Sequence, residues 1–158
     1  MSFRIGFGYD VHALTGGDSL RLGGVSIPHS RQAKGHSDAD VLVHAICDAL
    51  LGAAALGDIG THFPDSDPAY RGINSLELLK KTCTLVQEKG YGIGNIDTTV
   101  CLQQPKVSPY IQQMREVLSR TLGIESDRVS VKATTEEKLG FTGREEGIAA
   151  YAVVLLEG

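Results

Sequence analysis

Residues Ile96–Ala133 read IDTTVCLQQPKVSPYIQQMREVLSRTLGIESDRVSVKA, and the order of the parts decides the fold. IDTTVCLQ is rich in β-branched residues and reads as a strand. Ser108-Pro109 follows as a helix start, an N-cap with proline at the first position, and Gly123 stops that helix. RVSVKA is a second strand. A strand, a helix and a strand in succession imply a crossover that lays the two strands parallel.

Working outward, IAAYAVVLLE (148–157) is a further strand, reached through the polar loop TTEEKLGFTGREEG (134–147). It is apolar on both alternating faces. With helices massed on one face of the sheet, the other face needs cover, and a subunit interface supplies it. Towards the N-terminus, Phe3 to Phe7 alternate as a half-buried strand, and LRLGGVSIP (20–28) gives two short strands around Gly23-Gly24. Ser37 with Asp40 three residues on reads as a capping box. It opens a helix with Val41, Leu42, Ala45, Ile46, Ala49 and Leu50 as its apolar stripe. Asn74 with Glu77 opens another, closed by Lys89-Gly90. The Gly-, Pro- and Asp-rich stretch from Gly57 to Gly72 is longer than a connector needs and suits a functional lid. No repeat or linker interrupts the pattern. The expectation is one α/β (α+β) domain over 1–158, a two-layer sandwich with a mixed sheet and helices on one face.

Composition excludes several classes. The hydrophobic fraction is 42% and the charged fraction 22%, ordinary for a globular chain long enough to bury a core. A net charge of −4 with no Lys/Arg run argues against nucleic acid as the main partner. Cys47, Cys83 and Cys101 are odd in number and widely spaced, which suits free thiols in a reducing cytoplasm. The opening MSFRIGFGYD is already strand-like, without a signal or transit pattern, and ALLGAAALGDIG is too short to span a bilayer. A cytoplasmic protein with no membrane partner is expected.

The chemistry concentrates early. Four of five histidines, His12, His29, His36 and His44, lie within the first 44 residues, and His62 follows. Asp10 and His12, two apart at a strand end, point to one side, and His44 sits two turns inside the first helix. They are either an ordinary polar strand end with a structural helical histidine, or a three-ligand zinc set with a position open for substrate. His36, Ser37 and Asp38 at the helix entry are either a solvated cap or a phosphate clamp. Asp65 and Asp67 can form Asx-turns or accept from sugar hydroxyls. Lys106 at a strand exit is a solvated lysine or faces a phosphate. The loop KATTEEKLGFTGR is a plain turn, or offers Thr donors, Lys132 and Arg144 to anions and a carboxylate to a hard cation. No P-loop or dinucleotide fingerprint and no Ser-His-Asp pattern is evident.

Together GYDVH, GHSDADVLVHAICDALLGAAALGDIGTHFPDSDP, KGYGIGNIDTTV, QQPK and VKATTEEKLGFTGREEGIA resemble the 2-C-methyl-D-erythritol 2,4-cyclodiphosphate synthases of the non-mevalonate isoprenoid pathway, in order from Arg4 to nearly the C-terminus. The resemblance implies a cytidine diphosphate substrate whose 2-phosphate attacks its own β-phosphorus, closing a ring and releasing CMP. It implies zinc on Asp10, His12 and His44, and Mg²⁺ or Mn²⁺ on Glu137 with the substrate diphosphate. His36 and Thr135 match the residues that orient and stabilise the transferring phosphoryl group. Ser37, Asp58, Ile59, Gly60, Phe63 and Asp65 match erythritol and ribose contacts, with Pro64, Ser66 and Asp67 beside them. Leu102, Gln103, Gln104, Pro105, Lys106, Val107 and Ser108, with Ala133 and Thr134, match the cytidine pocket. Glu136, Phe141 and Arg144 complete the implied substrate contacts. The resemblance further implies a homotrimer with sheets facing one another around the axis and active sites between subunits. The chain departs from the family at Ala39, where Gly is typical, at Glu136, where Thr is common, and at Phe7 and Tyr151 near the trimer axis. Two rival classes are a zinc-dependent phosphohydrolase and a non-catalytic nucleotide-binding module.

Overall fold

The computed structural model describes all 158 residues. Its spine is the antiparallel pair of β1 (Phe3–Gly16) and β7 (Gly147–Glu157), in register from Phe3↔Glu157 to Ala13↔Gly147. On the other side of β7 lies β5 (Gly92–Cys101), also antiparallel to it, and β5 pairs parallel with β6 (Val129–Thr134). The parallel pair expected from Ile96–Ala133 is therefore present, bridged by α4 (Ile111–Leu122). Short β4 (Arg31–Ala33) extends the other edge, giving the order β4-β1-β7-β5-β6. A separate hairpin, β2 (Ser19–Leu22) and β3 (Val25–Pro28), turns at Gly23-Gly24, both left-handed as a tight hairpin turn demands.

One face of the sheet carries the helices α1 (Val41–Ala53), α3 (Ser75–Glu88) and α4. Ile148, Ala150, Ala152, Val154 and Leu156 of β7 point into a core with Leu42, Ile46, Leu50, Leu79, Met114 and Leu118, all essentially inaccessible. Cys47, Cys83 and Cys101 are buried and unpaired. The other face is bare: Phe3, Ile5, Phe7, Tyr9 and Val11 of β1, with Tyr151 and Val153 of β7, are exposed in this chain.

The closest helix-to-sheet approach sets up the chemistry. A Cβ on Gly8 would stand 1.9 Å from the Ala45 carbonyl oxygen, and one on Gly6 1.9 Å from that of Ala49. Only glycine lets α1 lie this low on β1. Asp10 and His12 continue the same face of the strand, so the descending helix brings His44 opposite them.

Two helix starts differ from the sequence expectation. α1 begins at Val41 with Asp40, not Ser37, as its N-cap, because Ala39 takes a left-handed φ of 57° that helix geometry excludes. Asp40 is fully buried, and its carboxylate accepts from the N–H groups of Gly23 (2.9 Å), Gly24 (2.7 Å) and Val43 (3.1 Å). Burial pushes this carboxyl up, and those three donors oppose the rise. His44 consequently lies in the first turn of α1 rather than two turns inside it. Likewise Ser108-Pro109 opens a 3₁₀ turn over Ser108–Tyr110 with no side-chain cap, and α4 proper starts at Ile111. Asp10 and His12 sit well inside β1, which runs on to Gly16, rather than at a strand end.

Candidate metal centre and substrate cavities

Three donor atoms converge where α1 crosses β1. His12 Nε2 lies 2.8 Å from Asp10 Oδ2, His44 Nδ1 lies 3.1 Å from the same oxygen, and the two ring nitrogens are 3.3 Å apart. Asp10, His12 and His44 form a group able to hold a metal ion.

The opposite ring nitrogens fix the tautomers. His12 Nδ1–H donates to the Lys34 carbonyl oxygen at 3.0 Å, leaving Nε2 as a lone pair. Ser75 gives its hydroxyl proton to Asp38 Oδ1, so at 2.9 Å from His44 Nε2 its oxygen accepts, and His44 Nδ1 is left as a lone pair. Ser37 Oγ stands 3.1 Å from that same Nε2. With both rings neutral, two lone pairs and a carboxylate face one another, an arrangement that repels unless a proton or a metal cation fills it. This donor set, two imidazoles and one carboxylate with anchored outer nitrogens, fits a divalent metal.

The same contacts trace a Ser-His-Asp string that the linear sequence concealed: Ser75, His44 and Asp10. Its geometry argues against a nucleophile. Ser75 is wholly buried, at 0% exposure, and its proton is committed to Asp38.

In the metal-free chain a proton on the ring nitrogens facing Asp10 takes the place of the cation. Burial pushes the Asp10 carboxyl up, but hydrogen bonds from His12 and His44 outweigh it and hold the group down at about 2. Burial pulls His12 down, while the Asp10 carboxylate raises it further, so its net displacement is upward.

A cavity of about 410 Å³ opens over these ligands. Asp10, His12, His36, Ser37, His44, Ile59, Gly60, Phe63, Pro64 and Asp65 line it. His36 Nε2 is shielded from solvent and has no partner, a donor or acceptor left for a ligand. Gly35, Tyr70, Ile73 and Leu78 complete the wall, and sequence reasoning missed them. Asp48 was missed too, although its place one turn after His44 on α1 is a signal. Its carboxylate accepts from the Ile59 N–H at 2.8 Å and so pins the cavity rim. Asp58 lies just outside, capping the short α2 (Ile59–His62) through Thr61, and Asp67 caps a 3₁₀ turn through Ala69. Neither they nor Ser66 line the cavity.

The remaining expected residues gather elsewhere. Leu102, Gln103, Gln104, Pro105, Lys106, Val107 and Ser108, with Ala133, Thr134 and Thr135, line a second cavity of about 400 Å³. It sits at the carboxyl ends of β5 and β6, where parallel strands commonly present a ligand site. No residue lines both cavities. Glu136, Glu137, Phe141 and Arg144 line neither. Glu137 has a left-handed φ of 52° and a carboxylate without a hydrogen-bond or ion-pair partner. Lys132 and Arg144, expected to meet anions, are paired with Asp97 (2.8 Å) and Glu146 (2.7 Å) instead.

No helix is long and apolar enough to cross a membrane. The YgbB family matches residues 3–157. A 2-C-methyl-D-erythritol 2,4-cyclodiphosphate synthase of Syntrophobacter fumaroxidans is 63% identical over 153 residues, covering 97% of this chain and 96% of its own length. The enzyme of that name from Porphyromonas gingivalis is 61% identical over 154 residues, covering 98% of this chain and 95% of its own length. Among solved structures, IspF of Plasmodium falciparum in complex with CDP superposes with a TM-score of 0.86 at 39% identity, covering 98% of this chain and 95% of that one. The bifunctional IspDF of Campylobacter jejuni superposes at 0.94 with 45% identity over 98% of this chain, which spans 42% of that longer protein.

Proposed function

The chain belongs to the YgbB family, and from that premise we propose that it converts 4-diphosphocytidyl-2-C-methyl-D-erythritol 2-phosphate to 2-C-methyl-D-erythritol 2,4-cyclodiphosphate. CMP is released, and the reaction is a phosphorus–oxygen lyase step in non-mevalonate isoprenoid synthesis in the cytoplasm. An oxygen of the 2-phosphate bonds to the β-phosphorus, and the bond from that phosphorus to the bridging oxygen breaks, leaving on CMP. Attacker and leaving group belong to one molecule, so alignment and charge neutralisation suffice and no protein nucleophile is needed. The observation that carries this reading is the converging donor set of Asp10, His12 and His44 at the cavity, with the neighbouring Ser75 hydroxyl committed to Asp38.

Asp10, His12 and His44 would hold Zn²⁺, and the unpartnered Glu137 carboxylate would hold Mg²⁺ or Mn²⁺; bound there, the ions draw charge off phosphoryl oxygens. His36, with its free ring nitrogen, orients the attacking phosphate, and the Ser37 hydroxyl lies beside it. Ile59, Gly60, Phe63 and Asp65 bind the erythritol and ribose, the acid accepting from hydroxyls. The second cavity takes cytidine against residues 102–108, Lys106 meets the nucleotide phosphate, and Thr135 steadies the leaving group.

Those two half-sites share no residue, so the reading requires them to meet across an interface. The bare sheet face of Phe3, Ile5, Phe7, Tyr9, Val11, Tyr151 and Val153 supports a homotrimer with sheets inward and three shared sites. Co-refolding a His12→Ala chain with a Glu137→Ala chain tests this directly. Recovered turnover, with each parent trimer nearly dead, is expected; verified mixed trimers without recovery refute the shared site. Phosphorus NMR of the products separates cyclisation from hydrolysis, and incorporation of solvent ¹⁸O would favour a phosphohydrolase.

A further inference from the structure

A third cavity meets the metal cavity at Gly35 and Ser37, the two residues common to both. It measures about 370 Å³, within the usual range of small-molecule sites. The hairpin builds one wall by simple alternation. Leu20, Leu22, Val25 and Ile27 point into the core, so Ser19, Arg21 and Ser26 point the other way, with Arg21 directly opposite Ser26. Lys34 and Asp38 supply the remaining charged side chains of the wall.

The wall is rich in uncommitted donors. Arg21 Nε is shielded from solvent and lacks a hydrogen-bond partner. It is 3.7 Å from Asp38 Oδ2, too far for a hydrogen bond. Asp38 is itself occupied, accepting from the Ser75 N–H at 3.0 Å, from the Ser75 hydroxyl and from the Asp40 N–H. The Lys34 ammonium has no ion-pair partner, and Ser19 and Ser26 make no side-chain hydrogen bond. Two cations against one satisfied carboxylate, among hydroxyl groups, match an oxyanion.

We propose that this cavity is a phosphoryl-binding subsite, in which Arg21 and Lys34 clamp a phosphate monoester beside the metal centre. The cavity is wired to both histidine ligands. The carbonyl of Lys34 takes the His12 Nδ1–H, and Asp38, beside Arg21, holds the serine that contacts His44 Nε2. An anion here therefore pulls on residues that orient the ligands. Its source is either a separate phosphorylated molecule or a phosphate arm of the molecule in the metal cavity.

Calorimetric titration of the metal-loaded protein with inorganic phosphate tests the site without reference to turnover. Saturable binding is expected, weakened about tenfold or more in Arg21→Gln and in Lys34→Gln, the loss of one charge-assisted hydrogen bond. Arg21→Lys, which keeps the charge, retains most of it, and unchanged circular dichroism and zinc content show that the variants fold. Binding that survives both neutral variants, or that is lost in His36→Gln but kept in Arg21→Gln, overturns the proposal and puts the anion in the metal cavity. The two sources separate in the kinetics. Phosphate that raises only KM occupies the place of the substrate's own arm, whereas phosphate that changes kcat or zinc affinity without competing marks a separate ligand.

Discussion

The metal cavity and the strand-end cavity are of similar volume but are built from different materials. The first rests on side chains: each histidine is held from behind by a carbonyl or serine, and that serine by a carboxylate. The second is framed by the segment after β5 and the end of β6, where Gln103 reaches the Lys138 N–H at 3.1 Å. A side-chain site depends on a few atoms and fails sharply when one is removed. A site walled by one continuous segment, 102–108, spreads recognition over many groups and degrades gradually.

Substitution should expose that difference most strongly in His44→Ala against Lys106→Ala. Removing the His44 ring takes one of the three proposed ligands, and even loss of a partner behind a ligand typically costs 10–100-fold in metal affinity. His44→Ala should therefore lose zinc and more than about 100-fold of activity, with circular dichroism unchanged. Lys106→Ala should keep its zinc and lose mainly KM, because the cavity frame is untouched. Full zinc in a folded, inactive His44→Ala protein would remove that histidine from the ligand set.

Acid should separate the regions next. His12 is displaced upward in the metal-free chain, so its pairing with Asp10 contributes stability below the unfolded histidine pKa. That contribution is lost as pH rises through the folded value. Asp10, held at about 2, works the other way: its contribution is present above the unfolded carboxyl pKa and fades as pH falls towards about 2. Zinc bound as proposed would displace the His12 proton, so affinity should climb by up to about tenfold per pH unit below the raised value, then level off. Competition with a chelator from pH 5.5 to 8 measures the slope. His12→Gln should flatten it, and nucleotide affinity at the strand-end cavity should show no matching slope.

The contrast also explains what could be read from the sequence. The β5-α4-β6 crossover was legible because β-branched runs and a Gly stop are local signals, although Ser108-Pro109 marks the 3₁₀ turn before α4 rather than its start. Asp10 and His12 were legible as a pair because strand alternation fixes their side. The true cap of α1 was not, since Ser37 satisfies the local pattern and only the hairpin glycines 23 and 24, distant in sequence, show why Asp40 wins. Ser75 was equally hidden, because it acts through a contact far along the chain, whereas Asp48, one turn after His44, could have been read from helix spacing. The residues assigned to cytidine came from family resemblance rather than from chemistry, because Lys106 is the one ionisable side chain in 102–108.

Gly8→Ala tests how far the metal cavity depends on packing rather than on its ligands. The new methyl would lie 1.9 Å from the Ala45 carbonyl oxygen, so α1 must lift from β1. Overpacking of this kind costs about 1–3 kcal/mol, and it moves His44 away from Asp10 and His12. Urea denaturation should show that loss, accompanied by weaker zinc binding. If the variant loses stability but keeps wild-type zinc affinity, helix height does not set the ligand geometry.

Ala39 poses the finest test, because it strains the backbone at the entry to the same helix. Its φ of 57° costs an L-residue about 1–2 kcal/mol relative to glycine. Ala39→Gly relieves that strain but frees the unfolded chain, at about 0.4–1 kcal/mol. It also removes a methyl that is 1% exposed, worth about 0.8 kcal/mol when buried. The terms nearly cancel, so the stability change should stay under about 1 kcal/mol in either direction. Zinc affinity should hold, since Asp40 anchors α1 through three N–H groups that do not involve residue 39. A thermal shift corresponding to more than about 2 kcal/mol, or a changed zinc affinity, would mean that the 37–39 turn, rather than the Asp40 cap, sets the position of His44.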